Sequence, residues 1–272
     1  MRGLVFTRAL LVLTAGAALA ADKSPGGIAY DRQGSGPPVI LIPGANLDRR
    51  MWNREVEWLK RRFTVVRYDL RAHGESDVPT APVSHLEDLG GLLDTLKLSR
   101  VTLIGLSAGA TIALDAGLAM PERVERLVLV GPAISGYVPK SRPAFFGDLL
   151  SALKEKNYAK ANEVMIASPL MAVPSEAQAL VRDMITRNER LWTVSPALMK
   201  PARPAADRLP ELNIPTLVLI GDKDLDGIKE QAELIAARAP RATLTTVPGG
   251  GHLLNLTSPV AFEEAVSEFL RR

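Results

Sequence analysis

The stretch IGLSAGA places Ser107 between two glycines, each two residues away. A serine hydroxyl attacks an electrophilic carbon only when a general base takes its proton. Gly105 and Gly109 suit a sharp turn around such a serine, because side chains there would collide with the neighbouring strand and helix. An apolar run, 101–106, precedes the serine, and a helical pattern begins near Ala108. The pattern predicts a nucleophilic serine in a strand–turn–helix.

The base has three candidates, because the chain contains three histidines: His73, His85 and His252. His252 follows the last predicted strand, in the glycine-rich loop VPGGGHLLN. His85 lies on a predicted surface helix, where a solvated side chain is expected. His73 lies where a strand passes into a loop, and turn formation is its expected role. Loops at the carboxyl ends of parallel strands meet at one edge of the sheet, so we expect His252 to lie near Ser107.

An acid must orient this histidine, and it should follow another strand at the same edge. The segment IPTLVLIGDKDLDG ends a predicted strand and offers Asp222, Asp224 and Asp226. The loop after the strand 125–130 is Gly131-Pro132 and holds no carboxylate. The sequence therefore predicts that the acid comes from the 222–226 loop.

Strands alternate with helices along the chain, which predicts a parallel sheet covered on both faces. The strands are continuous apolar runs rather than alternating ones, as expected for strands buried on both sides. The predicted strands are 26–34, 37–44, 63–70, 101–106, 125–132, 214–221 and 242–249, and the predicted helices are 51–62, 83–98, 107–120, 227–239 and 259–272.

A long interval separates the strand 125–132 from the strand 214–221. It is rich in proline and in short helical stretches such as 144–156 and 175–192. We expect residues 133–209 to form a helical lid, inserted into a core domain of residues 21–132 and 210–272. Its apolar side chains either line an adaptable substrate pocket or pack the lid against the sheet. The pocket candidates are Met165, Met184 and Trp192.

The amino terminus has the pattern of an export signal. Arg2 and Arg8 form a basic region, an apolar run follows, and Ala18-Leu19-Ala20 supplies the small-x-small cleavage pattern. We expect residues 1–20 to be a signal peptide, with the protein periplasmic or extracellular and without stable membrane insertion after cleavage. An uncleaved anchor is the alternative, although the run is short for a membrane-spanning helix.

Charge and composition narrow the function further. The chain has 272 residues, 47% of them hydrophobic, and a net charge of +3. Without Arg2 and Arg8, the chain has 31 Lys and Arg and 30 Asp and Glu, which gives a net charge of +1. A charge this small gives no reason to expect nucleic-acid binding. With no cysteine and few histidines there is no metal signature, and no phosphate loop or dinucleotide fingerprint is present. We therefore expect no cofactor.

Six segments together resemble the α/β-hydrolase superfamily over nearly all of the chain that follows the leader. They are LIPGA, YDLRAHGES, GLSAG, PERVERLVLVGP, PTLVLIGDKD and GGGH. The resemblance implies an α/β fold, a doubly wound and mostly parallel sheet of about eight strands with helices on both faces and a lid. It places the acid, the last residue of a Gly-x-x-Asp pattern, on Asp224, and the oxyanion hole on the backbone N–H groups of Ala45 and Ala108.

The chain departs from the family pattern at a few points. Pro43 stands where many relatives have histidine, and Ala72 and Ala110 replace glycines. The first strand of the family's opening hairpin is missing or very short. Ser107 differs from the aspartate that haloalkane dehalogenases and epoxide hydrolases carry at this turn. With Asp224 as the acid, we expect Asp222 to shape its turn and Asp226 to cap the next helix.

A Ser107–His252–Asp224 triad predicts acyl transfer to water through an acyl-enzyme, on an ester, a lactone or a related bond. The expected substrate is a small, partly apolar acyl compound, whose identity the sequence leaves open, as it does the oligomeric state. One alternative is an acyltransferase or perhydrolase that uses the same site. The other is a binding protein without catalysis on the same fold, since fold alone does not determine function.

Overall fold

A computed structural model of the protein describes residues 21–141 and 143–272. The predicted signal peptide, residues 1–20, lies outside the described residues. The described chain forms one sheet of eight strands, in the spatial order β1-β2-β4-β3-β5-β6-β7-β8. The strands are β1 Asp22–Lys23, β2 Ala29–Gln33, β3 Pro38–Ile42, β4 Thr64–Tyr68, β5 Val101–Leu106, β6 Val124–Val130, β7 Thr216–Gly221 and β8 Ala242–Val247.

The sheet is parallel from β4 to β8, and β1 and β2 add an antiparallel edge. The α/β fold with a mostly parallel sheet of about eight strands is thus confirmed. The opening hairpin is present, but its first strand has only two residues. The interior strands β3, β5 and β7 are almost wholly buried, because helices cover both faces and the side chains need no polar alternation.

The direction in which the chain moves across the sheet reverses at β3. The strand that follows it, β4, lies on one side, and β5 lies on the other. Ile42, the last residue of β3, is in register with Gly105 near the end of β5. In open α/β sheets the crevice outside the strand ends at such a reversal is the usual ligand site. The loops after β3 and β5 therefore meet at the position expected of a site.

Two apolar clusters, one on each face, hold the helices to the sheet. The helices are α1 Asn53–Leu59, α2 His85–Thr95, α3 Ala108–Ala119, α4 Phe145–Lys154, α5 Tyr158–Ala167, α6 Ser175–Arg187, α7 Asp226–Arg238, α8 Leu254–Thr257 and α9 Pro259–Arg271. The first cluster contains residues of α2, α3 and α7, and the second contains residues of α1, α9 and the helices of the insertion. Among the described residues, no helix is long and apolar enough to span a membrane.

The insertion between β6 and β7 contains α4, α5 and α6. The predicted helical stretches 144–156 and 175–192 correspond to α4 and α6. None was predicted at α5, because its apolar residues are not confined to one face of the helix. The two ends of the insertion touch each other: the backbone N–H of Ala205 donates to the Ser135 carbonyl at 2.9 Å. The division of the chain into a core domain and a lid stays a prediction.

Candidate active site

Ser107 occupies a strained turn between β5 and α3. Its φ of 55° and ψ of −118° lie in a region that residues other than glycine rarely adopt. Such a conformation costs on the order of 1–3 kcal/mol and persists only where the surrounding structure fixes it. Here the Ser107 N–H donates to the Val130 carbonyl at the end of β6, at 2.8 Å. The side chain is half-buried at the sheet edge.

The two glycines that flank the serine are required by packing. A Cβ atom on Gly105 would lie 2.2 Å from the Gly109 carbonyl oxygen, and one on Gly109 would lie 2.2 Å from the Ile42 carbonyl oxygen. Neither backbone oxygen can move without breaking a strand or the start of α3. The sequence thus has glycine at the two positions where the turn brings strand and helix backbones together.

His252 and Asp224 form a buried pair at the same edge. The His252 Nδ1 atom lies 3.0 Å from Oδ1 and 2.9 Å from Oδ2 of Asp224, and the two residues are only 3% and 6% exposed. With Nδ1–H donating to the carboxylate, Nε2 on the opposite side of the ring is free to accept a proton. This is the arrangement in which a carboxylate fixes the tautomer of a general base.

Gly131 connects this pair to the serine turn. It follows Val130, the hydrogen-bond partner of Ser107, and has a φ of +51°. A Cβ on Gly131 would lie 2.9 Å from His252 Nδ1 and 3.2 Å from Asp224 Oδ2. The end of β6 thus touches both groups: Val130 bonds to the serine turn, and Gly131 lies against the His252–Asp224 pair. Sequence reasoning passed over Gly131; the signal was a glycine directly after a buried strand, at the edge where the other candidates lie.

The two other aspartates of the β7–α7 loop have different surroundings. Asp222 is exposed, and its Oδ1 accepts from the Gly249 N–H at 2.7 Å, so it shapes the turn as expected. The capping role predicted for Asp226 is wrong: the residue before the helix is Leu225, and Asp226 is the first residue of α7. Asp226 instead forms an exposed ion pair with Lys229 at 2.8 Å.

The loop after β3 lies beside the serine turn. A Cβ on Gly44 would lie 3.5 Å from the Leu106 carbonyl oxygen, which directly precedes Ser107. Ala45, an oxyanion-hole candidate, follows Gly44 and is exposed. The other candidate, Ala108, is the first residue of α3 and is half-buried. Both candidates therefore border the turn that holds the serine.

A cleft of about 510 Å³ opens beside Ser107. One wall is the face of α3 that carries Ser107, Thr111 and Asp115, at four-residue intervals. Residues 84–86 and the insertion segment 199–202 form the other walls. Most of the lining is apolar, and it includes Leu86, Ile112, Ala133, Met199, Pro201 and Ala202.

His85 lines this cleft, against the expectation of a solvated surface side chain. It is the first residue of α2, and the insertion folds over it: the backbone of Val83 pairs with the segment around Met199. Burial lowers the pKa of His85 below its ordinary value. Because this contact joins segments more than a hundred residues apart, sequence pattern alone does not reveal it.

The pocket candidates lie elsewhere. Met165 and Met184 are buried in the apolar cluster formed by the insertion and the sheet, and neither is among the residues that line the Ser107 cleft. Trp192 packs against the same cluster, and its Nε1 donates to Asn162 Oδ1 at 2.8 Å. The three side chains hold α5 and α6 together, which is the packing role that the sequence analysis left as the alternative.

The comparisons with known proteins identify the family. A model of the alpha/beta hydrolase family matches residues 39–265. The chain therefore belongs to the α/β-hydrolase family, as its sequence motifs and its sheet predict.

Within the described residues, no group of three or more His, Asp or Glu side chains is placed to hold a metal ion.

Individual relatives agree with this assignment. The chain is 30% identical to polyketide synthase ThaQ of Burkholderia thailandensis over 96% of its own length, but spans only 13% of that protein. It is 30% identical to RutD of Caulobacter sp. (strain K31), provisionally named a carbamate hydrolase, over 90% of this chain and 93% of that one. A thermophilic esterase from Thermogutta terrifontis superposes with a TM-score of 0.74 at 27% identity, over 90% of this chain and 93% of that one.

Proposed function

We propose that the protein is a serine hydrolase that cleaves a carboxylic ester, a lactone or a related acyl bond. The observation that carries the proposal is that two consecutive residues, Val130 and Gly131, contact the Ser107 backbone and the His252–Asp224 pair. A serine held in a strained turn, beside a buried histidine that is oriented by a carboxylate, is the constellation that nucleophilic acyl transfer requires. Similarity to an esterase and to a provisional carbamate hydrolase supports the same chemistry.

The mechanism follows from the roles of the three side chains. His252 Nε2 takes the proton of the Ser107 hydroxyl as Oγ attacks the substrate carbonyl. The backbone N–H groups of Ala45 and Ala108 hold the oxyanion, and one such donor contributes about a hundred- to a thousand-fold in turnover. His252 then protonates the leaving group, and a water molecule activated by His252 hydrolyses the acyl-enzyme. Asp224 holds the imidazole and stabilises its protonated form.

The cleft supports a small, partly apolar substrate. Its volume of about 510 Å³ lies within the range of small-molecule sites, and its walls are largely apolar. Asp115 of α3 lies eight positions after Ser107, so the cleft wall extends for about 12 Å at about 1.5 Å per residue. A small to medium apolar acyl group fits this space. The cleft has polar side chains at the two ends of this wall, Ser107 and Asp115.

We also propose that the enzyme is exported, because its first 20 residues have the pattern of a signal peptide. When the full chain is expressed in a bacterial host, we expect the mature protein to begin at or near Ala21 and to leave the cytoplasm. An intact Met1 on membrane-bound protein would contradict this proposal.

The activity is tested with a panel of p-nitrophenyl esters and lactones and the mature protein. We expect hydrolysis of at least one member, inhibition by a serine-directed phosphonate, and loss of activity in Ser107→Ala. The matched control is Ser151→Ala, which changes an exposed serine of α4 and should keep wild-type rates. Hydrolysis that survives in Ser107→Ala would exclude the proposed mechanism.

A further inference from the structure

The backbone of Asn46, next to the oxyanion-hole candidate Ala45, is held from two sides. Asn46 is buried and has a φ of 64°, in the left-handed region that asparagine adopts more readily than most residues with a side chain. Its N–H donates to His73 Nε2 at 3.2 Å, and its carbonyl accepts from Asn188 Nδ2 at 3.0 Å. Two side chains from distant parts of the sequence therefore fix this one backbone position.

His73 can accept this hydrogen bond only in one tautomer. Its Nδ1 lies 2.7 Å from the Arg71 carbonyl oxygen, which accepts and cannot donate, so Nδ1 carries the proton and Nε2 is the acceptor. The side chain is buried, and burial lowers the pKa of His73 to about 4. The neutral ring is thus a fixed acceptor aimed at the loop after β3.

Asn188 joins the same loop to the loop after β4. It follows the last residue of α6 in the insertion and is fully buried. While Nδ2 donates to Asn46, its Oδ1 accepts from the Gly74 N–H at 2.7 Å. Arg190, two residues later, donates to the Ser76 carbonyl at 2.8 Å and to the Ala72 carbonyl at 3.2 Å. The insertion therefore holds both loops in place.

We propose that His73 and Asn188 are positioning residues that set the geometry of the oxyanion hole. The inference rests on the proposed function, because it concerns the Ala45 N–H as an oxyanion donor. The peptide group that contains the Asn46 N–H also contains the Ala45 carbonyl, so holding it restricts rotation about the ψ angle of Ala45. With the Asn46 carbonyl held as well, both peptide groups of Asn46 are fixed, and the backbone that presents the Ala45 N–H has less freedom to turn.

The proposal gives the insertion a second task besides covering the cleft. Through Asn188 it completes the support of a backbone donor on the core, so docking of the insertion and assembly of the oxyanion hole are coupled.

The test compares turnover with the affinity for a transition-state analogue. For wild type, His73→Leu, His73→Gln and Asn188→Ser, we would measure kcat and KM on p-nitrophenyl butyrate and Ki for butaneboronic acid. The boronate adduct of a serine is tetrahedral and places an oxygen where the oxyanion forms. We expect a ten- to hundred-fold lower kcat in His73→Leu, part of the loss for a whole donor, with KM within about threefold. Ki should rise by the same factor.

His73→Gln returns an acceptor and should recover most of the loss, while Asn188→Ser, which lacks the donor reach, should behave like His73→Leu. Asn157→Ala removes the N-terminal cap of α5 and is the stability control, because it should lower the melting temperature without changing kcat or Ki. If His73→Leu does not fold, the kcat and Ki of Asn188→Ser test the proposal instead.

Two results separate the possible failures. If folded His73→Leu and Asn188→Ser keep kcat and Ki within twofold of wild type, or lose kcat with Ki unchanged, the positioning role is wrong although the hydrolase assignment stands. If Ser107→Ala keeps full activity, the proposed function itself fails, and the variants of His73 and Asn188 need no further interpretation.

Discussion

The imidazole of His252 lies directly against the backbone of Gly131, so close that a single methyl group on the glycine would lie 2.9 Å from Nδ1. Gly131 directly follows Val130, whose carbonyl accepts a hydrogen bond from the Ser107 N–H. The candidate base therefore contacts the residue next to the one that holds the serine. The end of β6 therefore acts as a fixed spacer between Ser107 and His252, and it contributes only backbone groups.

Gly131→Ala should reduce turnover and stability together. The added methyl group displaces the His252 ring, and φ at +51° strains any residue with a Cβ. A displacement of about 1 Å at reacting groups costs about a hundred-fold, so we expect kcat to fall ten- to hundred-fold. Steady-state kinetics and the melting temperature would measure both effects.

Gly91→Ala is the matched control for this substitution. Gly91 lies in the exposed face of α2, and a Cβ there meets no atom within 4 Å. Alanine should stabilise the helix by about 0.5–1 kcal/mol and leave kcat unchanged. Wild-type kcat in Gly131→Ala would show that the spacer has no role in catalysis.

Three matched substitutions test which aspartate is the acid of the proposed triad. We expect Asp224→Asn to reduce kcat by about ten-thousand-fold, because asparagine leaves His252 in the wrong tautomer. Asp222→Asn keeps the oxygen that accepts from Gly249, and Asp226→Asn loses only an exposed ion pair. Both should stay within about tenfold of wild type. If Asp222→Asn were inactive and Asp224→Asn stayed active, the acid would be Asp222, and the assignment of Asp224 would be wrong.

Glu55 gives stability a defined pH dependence. This carboxyl group of α1 is buried, and Oε1 has no hydrogen-bond partner among the described residues. Burial raises its pKa from 4.5 to about 7. The folded state therefore binds more protons than the unfolded state between these values, and the free energy of unfolding falls as pH rises through this window. The loss amounts to about 3 kcal/mol at most.

Glu55→Gln should remove this loss, so the difference in unfolding free energy between variant and wild type grows from pH 4.5 to pH 8. Urea titrations across that range measure it. Glu57→Gln, which changes the exposed glutamate of the same helix, should leave the wild-type pH dependence intact. Parallel pH profiles for wild type and Glu55→Gln would contradict a raised pKa at Glu55.

The cleft predicts a preference for apolar acyl groups of limited length. Along a series of p-nitrophenyl esters, kcat/KM should rise about fourfold per added methylene while each is buried, the equivalent of about 0.8 kcal/mol. Ala202→Phe, which fills part of the cleft, should move the optimum to shorter chains. Val138→Phe, on the exposed part of the insertion, should not. A flat series or a preference for charged acyl groups would contradict the assignment.

Local signals made the sheet and the serine turn predictable from sequence. Continuous apolar runs reveal strands that helices cover on both faces, and the turn at Ser107 requires glycines at fixed spacing. The position of His252 and of the β7–α7 loop could be predicted because the carboxyl ends of parallel strands meet at one edge of the sheet. The roles of Met165 and Met184 could not be predicted from the sequence, because apolar composition does not distinguish a residue of a pocket wall from one that packs helices together.

Contacts between distant segments were beyond the sequence pattern. Asn188 meets Gly74 across 114 residues, and no local rule indicates where the end of an inserted helix will dock. His85 enters the cleft only because the segment around Met199 folds over the start of α2. Both contacts depend on the path of the insertion, which carries few sequence signals of its own.

The identity of the nucleophile is tested most directly by mass spectrometry of the mature protein after reaction with a fluorophosphonate probe. We expect one adduct per chain, located on Ser107 by peptide mapping, and no adduct on Ser107→Ala at equal probe concentration. Labelling and loss of esterase activity should proceed at the same rate. An adduct on another serine, or labelling of Ser107→Ala at the wild-type rate, would show that Ser107 is not the nucleophile.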